Sequence, residues 1–552
     1  MSLYGELTKH PLLWLLGLYR RAWSSLTVLR PSDTGSVAIY TAVADDPVMR
    51  ESVRQKPKEL HMKKRSIYGQ QSQELMRIYE EAGRTTKVLV AAIDYAKRDH
   101  VVLLCNGNGD VLHKPFTVKN TPEGVDFLLN QINSTCRYHK INLKHAYCGG
   151  EDCGSYTENF ADSLREHGLL VAGVNAEDAK KQRENVQAST DRLDLLGIAR
   201  MLINRRGNCA PSQCGHYRNM RTLTRHRRKL VSLSTEERNR MHTLVDRLFP
   251  GYLDADNSGL TPFHAPSLRL MEDRFSARQI ARRNRKTLAG LISRAGGLNA
   301  PETASTLQSY AASVLPVTPE YIPTLQLSLA QHVQLYRCLH ECIESLEREI
   351  AVWLAHTQGA FLITIKGVGM VLAAGVAAEI GDPVTQMPVS NLTSYAGIIP
   401  RVSQTGGPDS EAHIGFVANR CNRILKDYIV QSASHIGLHG VADLMADHNR
   451  RDAAGQHANY GIARRYLRIG MRLMRNSEIY LPPELRGQNV PVEKRIEYYQ
   501  ILWPFLLDKW RKYGAHHIAF AADNPLGQWR NMIQELYDIE LKLPSGKPIT
   551  NR

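Results

Sequence analysis

Residues 87–118, KVLVAAIDYAKRDHVVLLCNGNGDVLHKPFTV, decide how the chain folds. KVLVAAIDYA is an apolar run, HVVLLCN is a second and VLHKPFTV a third. Runs of this length rich in Val, Ile, Leu and Phe fit strands, and NGNGD between the last two supplies the residues a tight reversal needs. Three strands joined by short turns make a meander. TPEGVDFLLNQINSTC (121–136) then reads as a helix, with Thr121 as its cap and Pro122 in the first turn. KHAYCGG (144–150) is a fourth strand, GSYTENFADSLREHG (154–168) a helix closed by Gly168, LLVAGVN (169–175) a fifth strand and AEDAKKQRENV (176–186) a helix.

A meander followed by alternating helices and strands is the order of an RNase H-like domain, a mixed sheet with helices on its faces. Open α/β sheets carry their chemistry at strand ends. Asp94 closes the first strand, Glu151 follows the fourth, and STDRLDLLGIA (189–199) puts Asp191 and Asp194 three apart on a later helix. Taken alone, that pair reads as first-turn acids complementing the helix dipole, with Thr190 or Asp191 as cap. Residues i and i+3 share a helix face, so four carboxylates from three elements are expected to converge. Carboxylates without thiol or imidazole company make a hard-oxygen site for Mg²⁺ or Mn²⁺. Two such ions roughly 4 Å apart suit phosphodiester cleavage.

The chain has 552 residues, 43% of them hydrophobic, enough for several packed domains. Lys and Arg number 70 against 54 Asp and Glu, a net charge of +16, which predicts a polyanionic partner. The best apolar run, FLITIKGVGMVLAAGVAAEI (361–380), contains Lys366 and Glu379 and is no membrane span. Nine cysteines without framework spacing point to a reducing compartment, the cytoplasm. Cys209-x4-Cys214 is expected to be structural or incidental, and Cys338 and Cys342 to pack.

Between Arg205 and Arg240 ten Lys/Arg face two acids, and Arg221, Arg225, Arg228 and Lys229 are candidate phosphate contacts. Arg274, Arg278, Arg282 and Arg285 recur at helical spacing, predicting a basic stripe. Tyr336, Leu339, Ile343, Leu346, Ile350 and Trp353 follow a 3-4-3-4-3 rhythm, the seam of a coiled coil or long hairpin. It serves either packing within the chain or self-association. In ITIKGVGM (363–370) Lys366, Gly367 and Gly369 read as the turn of a helix-hairpin-helix whose backbone N–H groups bind phosphate. RVSQTGGPDS (401–410), beside Arg401, reads as a basic hydroxyl-bearing loop.

From about Val88 to about Met474 these residues resemble the DEDD transposases of bacterial insertion sequences, the insertion-sequence-110 type, whose members are bridge-RNA-guided recombinases. The resemblance lies in AAIDYAK, GGEDCGSY, STDRLDLLGIA, IKGVGMVLAAGVAAEIGD, LTSYAGIIPR and SQTGG. It implies a RuvC-like domain over 86–205 with Mg²⁺ on Asp94, Glu151, Asp191 and Asp194. A basic helical and coiled-coil region over 206–355 and a transposase domain over 356–480 follow. Residues 1–85 are an extension and 481–552 a helical tail. The attacking hydroxyl of the family falls on Thr405, with Ser403 as the alternative. Partners implied are double-stranded DNA, a structured guide RNA and further copies of the chain as dimer or tetramer, in the bacterial cytoplasm at the nucleoid. A junction-resolving nuclease without a covalent step and a non-catalytic binding remnant are the other readings.

Overall fold

The computed structural model describes residues 71–151, 155–183, 190–209, 215–383, 389–403, 413–417, 421–487 and 489–541. The chain divides after residue 211 into two compact units. In unit 1, helix α1 (Gln73–Ala82) precedes strands β1 (Leu89–Asp94), β2 (Asp99–Asn106) and β3 (Val111–Lys119). Then come α2 (Pro122–His139), β4 (Ala146–Glu151), α3 (Ser155–Glu166), β5 (Leu170–Val174), α4 (Ala176–Lys181) and α5 (Asp191–Ile203). The strands lie where their apolar runs place them. Their spatial order is β3-β2-β1-β4-β5, antiparallel across β3, β2 and β1 and parallel across β1, β4 and β5.

The uninterrupted apolar sequence of β1 follows from its central place. Leu89, Ala91 and Ile93 feed one core with Leu128 and Ile132 of α2 and Phe160 of α3. Val88, Val90 and Ala92 feed another with Leu75 of α1 and Leu195 and Ile198 of α5. A strand covered on both faces has no polar side to show. Thr121 caps α2 by accepting from the Gly124 N–H at 3.2 Å. Gly124 is required there, since a Cβ would stand 1.9 Å from the Lys119 carbonyl oxygen.

Unit 2 is mainly helical. Helices α6 (His216–Leu248) and α7 (Ile322–Ala355), of 33 and 34 residues, run along one another. Met241 and Val245 of α6 share a core with Leu329 and Val333 of α7, whereas Met220 shares one with Ile350 and Leu354, so the pair is antiparallel. The seam expected from the 3-4 rhythm is therefore packed within the chain: Tyr336, Ile343 and Ile350 are buried. Cys338 and Cys342, expected to pack, are exposed, because they fall outside the 3-4 rhythm of that seam, flanking it rather than filling it.

Short helices over 255–313 cover one end of this hairpin. The other end carries a 3-10 turn (Gln358–Thr364) and α8 (Met370–Ile380). A two-stranded ribbon, β6 (Pro400–Ser403) and β7 (His413–Val417), also belongs to this unit. Helices α9 (Arg423–His439), α10 (Ala442–Ala453), α11 (Ala458–Asn476) and α12 (Val492–Arg511) also belong to it, and the helix Pro525–Tyr537 adds Trp529 and Ile533 to its core. Among the described residues no helix is long and apolar enough to cross a membrane.

Candidate functional site

The strand register sets the first two acids. Ile93 of β1 lies opposite Gly150 of parallel β4, so Asp94 and Glu151 stand level at the same sheet edge, about 4.8 Å apart in backbone. The approach needs glycine: a Cβ on Gly150 would lie 2.1 Å from the Ile93 carbonyl oxygen and 2.6 Å from the Tyr95 ring. Helix α5 carries the second pair. Thr190 is its cap, accepting from the Leu193 N–H at 3.4 Å, and Asp191 occupies the first helical position. The Asp191 side chain lies outside the described residues.

Gly197, one turn beyond Asp194, lets α4 approach closely. A Cβ there would meet the Ala179 carbonyl oxygen at 2.5 Å and the Arg183 Cγ at 3.2 Å. The approach delivers Arg183, whose Nη2 lies 2.5 Å from Asp194 Oδ1, with side chains 8% and 21% exposed. Burial and then the negative charges of Asp194 and Asp94, opposed by Arg183, push the Glu151 carboxyl above the usual range. Its Oε1 is buried and has no hydrogen-bond partner among the described residues. Glu151 thus feels the charges of both aspartates, and Arg183 opposes them while pairing with Asp194.

Among the described residues no three Asp, Glu, His or Cys side chains close into a cation-binding group. Carboxylates repel without a counter-charge, and here Arg183 supplies part of it. An unpartnered carboxylate oxygen in surplus negative charge fits a hard divalent cation. Asp94, Glu151 and Asp194 are the described residues that would hold one.

Unit 2 shows the reverse charge pattern. Glu379 near the end of α8 has a side chain with no exposure, yet it is ionised. Arg225 binds it through Nε at 2.7 Å and Nη2 at 3.0 Å, Arg221 lies at 3.4 Å, and Asn422 donates at 2.9 Å. Burial pushes this carboxyl up, but the hydrogen bonds from Arg225 and Asn422 and the charge of both arginines outweigh it and hold it below the usual range. Asn422 also donates to the Tyr395 hydroxyl at 3.1 Å and caps α9 by accepting from the Leu425 N–H at 3.0 Å. It thereby anchors the chain where it enters α9, after the ribbon.

Of the other basic residues singled out, Arg228 pairs with Asp427. Lys229 is exposed and forms no ion pair among the described residues. The expected stripe is not one helix. Arg274 has a left-handed backbone (φ 51°), Ser276 caps Ala277–Arg282, and Asn284 caps a new helix beginning at Arg285. Arg278 and Arg282 lie on the first helix; Arg285 donates to Gln308 at 3.2 Å.

The KGVG turn follows a 3-10 rather than an α-helical segment. Lys366 is exposed, Gly367 has φ +96° with its backbone against Ile436, and Gly369 opens α8 without a side-chain cap. Lys509 of α12 holds this turn, donating to the carbonyl oxygens of Ile363 at 3.2 Å and Val368 at 2.7 Å. Burial pushes its ammonium down to about 8. Sequence reasoning passed over Lys509, Arg183 and Glu379. Arg401 and Ser403 lie in β6, their side chains outside the described residues, as are Thr405, Cys214 and residues 1–70 of the expected 1–85 extension.

A DEDD-type IS110 family model, described as Transposase, matches residues 91–250. A second, described as the Transposase IS116/IS110/IS902 family, matches residues 359–439. In both segments the chain is similar to IS110-type transposases. The first match contains all four acids, and the second contains the KGVG turn, Glu379 and the ribbon. The transposase for insertion sequence element IS1328 of Yersinia enterocolitica is 32% identical over 116 residues, 21% of this chain and 33% of that relative. The chain thus covers about a third of that relative's length.

Proposed function

We propose that the protein is a metal-dependent DNA recombinase that excises and inserts a mobile element under the direction of a structured guide RNA. The observation that carries this reading is the buried, unpartnered Glu151 Oε1 amid the charges of Asp94 and Asp194, at the edge of a mixed sheet in RNase H-like order. Asp94, Glu151, Asp191 and Asp194 hold Mg²⁺ or Mn²⁺. The metal supplies charge stabilisation at the scissile phosphate. Thr405, or Ser403 if the loop is shifted, contributes the attacking hydroxyl. Its oxygen forms an ester to phosphorus, its proton is lost, and the displaced deoxyribose oxygen takes up a proton.

Duplex DNA and RNA are held through phosphates. Arg278, Arg282, Arg285 and Lys229 are side-chain contacts, Arg221, Arg225 and Arg228 contribute after pairing with acids, and Arg401 lies beside the loop. Lys366, Gly367 and Gly369, in the turn between the 3-10 segment and α8, contribute the phosphate contact expected of a helix-hairpin-helix. The domains follow the order 1–85, 86–205, 206–355, 356–480 and 481–552, and the enzyme works as a dimer or tetramer in the bacterial cytoplasm at the nucleoid.

The test is incubation with element-end DNA, the RNA encoded beside the gene and Mg²⁺, followed by a denaturing gel. A protein–DNA adduct lost in Thr405→Ala and in Asp194→Asn is expected. An adduct retained in Thr405→Ala but lost in Ser403→Ala moves the nucleophile to Ser403. Free cut ends without adduct identify a junction-resolving nuclease, and no cleavage a binding remnant.

A further inference from the structure

In unit 2, between the two family-matched segments, three arginines from separate elements line one hollow of about 240 Å³: Arg269, Arg294 and Arg337. Leu291, Ala265 and Ala295 supply its apolar lining. Glu272 is the acid that answers them. Its Oε2 lies 3.0 Å from Arg269 Nη1 and its Oε1 3.0 Å from Arg337 Nε, so one carboxylate orients two guanidiniums. Arg294 is exposed and has no ion pair among the described residues. One carboxylate for three guanidiniums leaves the hollow positive. The nearby acids do not change this: Asp273 is engaged by Arg283 at 2.6 Å, and Glu341, one turn beyond Arg337, pairs with none of the three.

We propose that this hollow is a phosphodiester-binding site, in which Arg294, Arg269 and Arg337 clamp a backbone phosphate of a nucleic acid and the apolar lining receives the adjoining sugar. The guanidinium fork matches the paired oxygens of a phosphodiester. Fixing two forks through Glu272 lowers the ordering cost of the contact. The hollow adjoins the helix Arg285–Arg294, within a run from Arg274 to Arg294 that contains no acid. It thus lies at the edge of a surface already biased toward polyanions. Duplex DNA and structured RNA present the same group, and the inference rests on the nucleic-acid reading above.

The test measures binding of the full chain to a labelled duplex DNA and to a labelled RNA hairpin from 0.05 to 0.4 M KCl. The variant Arg269→Gln/Arg294→Gln keeps the Arg337–Glu272 pair intact, and Arg294→Gln alone alters an exposed, unpaired side chain. Each neutralised phosphate contributes about 0.9 to the log–log salt slope on duplex DNA and about 0.7 on single strands. The double variant is expected to lower the slope by about 1 on at least one polymer and weaken its binding there roughly eightfold at 0.1 M salt. Arg294→Gln shifts both in the same direction by less. Arg348→Gln, an exposed arginine of α7 away from the hollow, should leave the slope unchanged. The polymer that loses slope is the occupant. Unchanged slopes on both polymers overturn the site, and so does an equal loss in Arg348→Gln. If the unaltered protein binds neither polymer, the nucleic-acid reading fails and the site with it.

Discussion

The sheet edge of unit 1 and the α8–α9 corner of unit 2 are built on opposite charge ratios. At the first, Glu151 feels the charges of Asp94 and Asp194, Arg183 pairs with Asp194, and Glu151 Oε1 has no hydrogen-bond partner among the described residues. At the second, Glu379 alone is bound by two guanidiniums and an amide. A buried ion is stable when its partners are in place, so the second site is complete within the chain. The first leaves Glu151 Oε1 without a hydrogen-bond partner among the described residues and gains from added positive charge. Structural and ligand-seeking charge clusters are thus told apart by stoichiometry, not by residue type.

The largest effect that would break this contrast is at Glu379. Glu379→Ala strands two arginines and the Asn422 amide and is expected to cost about 3 kcal/mol, read by urea unfolding at pH 7; an unchanged midpoint would show the network to be decorative. Because this carboxyl is held below its unfolded value, its contribution is present above about pH 4.3 and is lost as the pH falls through the lower folded value.

Next comes Gly150→Ala. Its methyl meets backbone at 2.1 Å, so β1 and β4 must part at the acid edge, costing about 1–3 kcal/mol and removing cleavage along with stability. Gly150→Ala with normal activity would mean that the level placement of Asp94 and Glu151 is unnecessary.

Arg183→Gln tests the counter-charge itself. Without metal its thermal midpoint should fall below that of the unaltered protein, and Mn²⁺ should restore it; calorimetry should show tighter Mn²⁺ binding, since no guanidinium competes for Asp194. Weaker Mn²⁺ binding would make Arg183 a supporter of the metal rather than its rival.

The smallest effect is at Glu151. Its raised carboxyl means that the folded state binds more protons than the unfolded one above about pH 4.3, so metal-free stability falls as pH rises through the folded value. Glu151→Gln should flatten that slope and slightly raise the metal-free midpoint while abolishing cleavage. A variant both less stable and inactive would argue for a structural role.

Much of unit 1 was legible because its signals are local. The β1 run, the NGNGD turn, the Thr121 cap and the positions of four acids can each be read within a few residues. The break in the supposed arginine stripe was also legible, since Ser276 with Gln279 makes a capping box and Asn284 a second cap. The unpaired look of Arg225 was misleading for another reason: Glu379 lies 154 residues away in sequence, inside an Ala-rich helix that offers no hint of it. Arg183 likewise carried no sign, as its place depends on how closely Gly197 lets α4 approach α5.

The sequence by itself determined where strands and helices begin, which faces are apolar, that the chain is strongly basic and that acids end the key strands. These follow from backbone sterics, capping and hydrophobic periodicity, all short-range. Only the tertiary structure decided which charges answer which. Arg183 stands among the acids, Glu379 holds Arg221 and Arg225, and Arg269, Arg294 and Arg337 meet in one hollow. Coulomb interactions and desolvation act through space, and the packing of distant segments sets those distances.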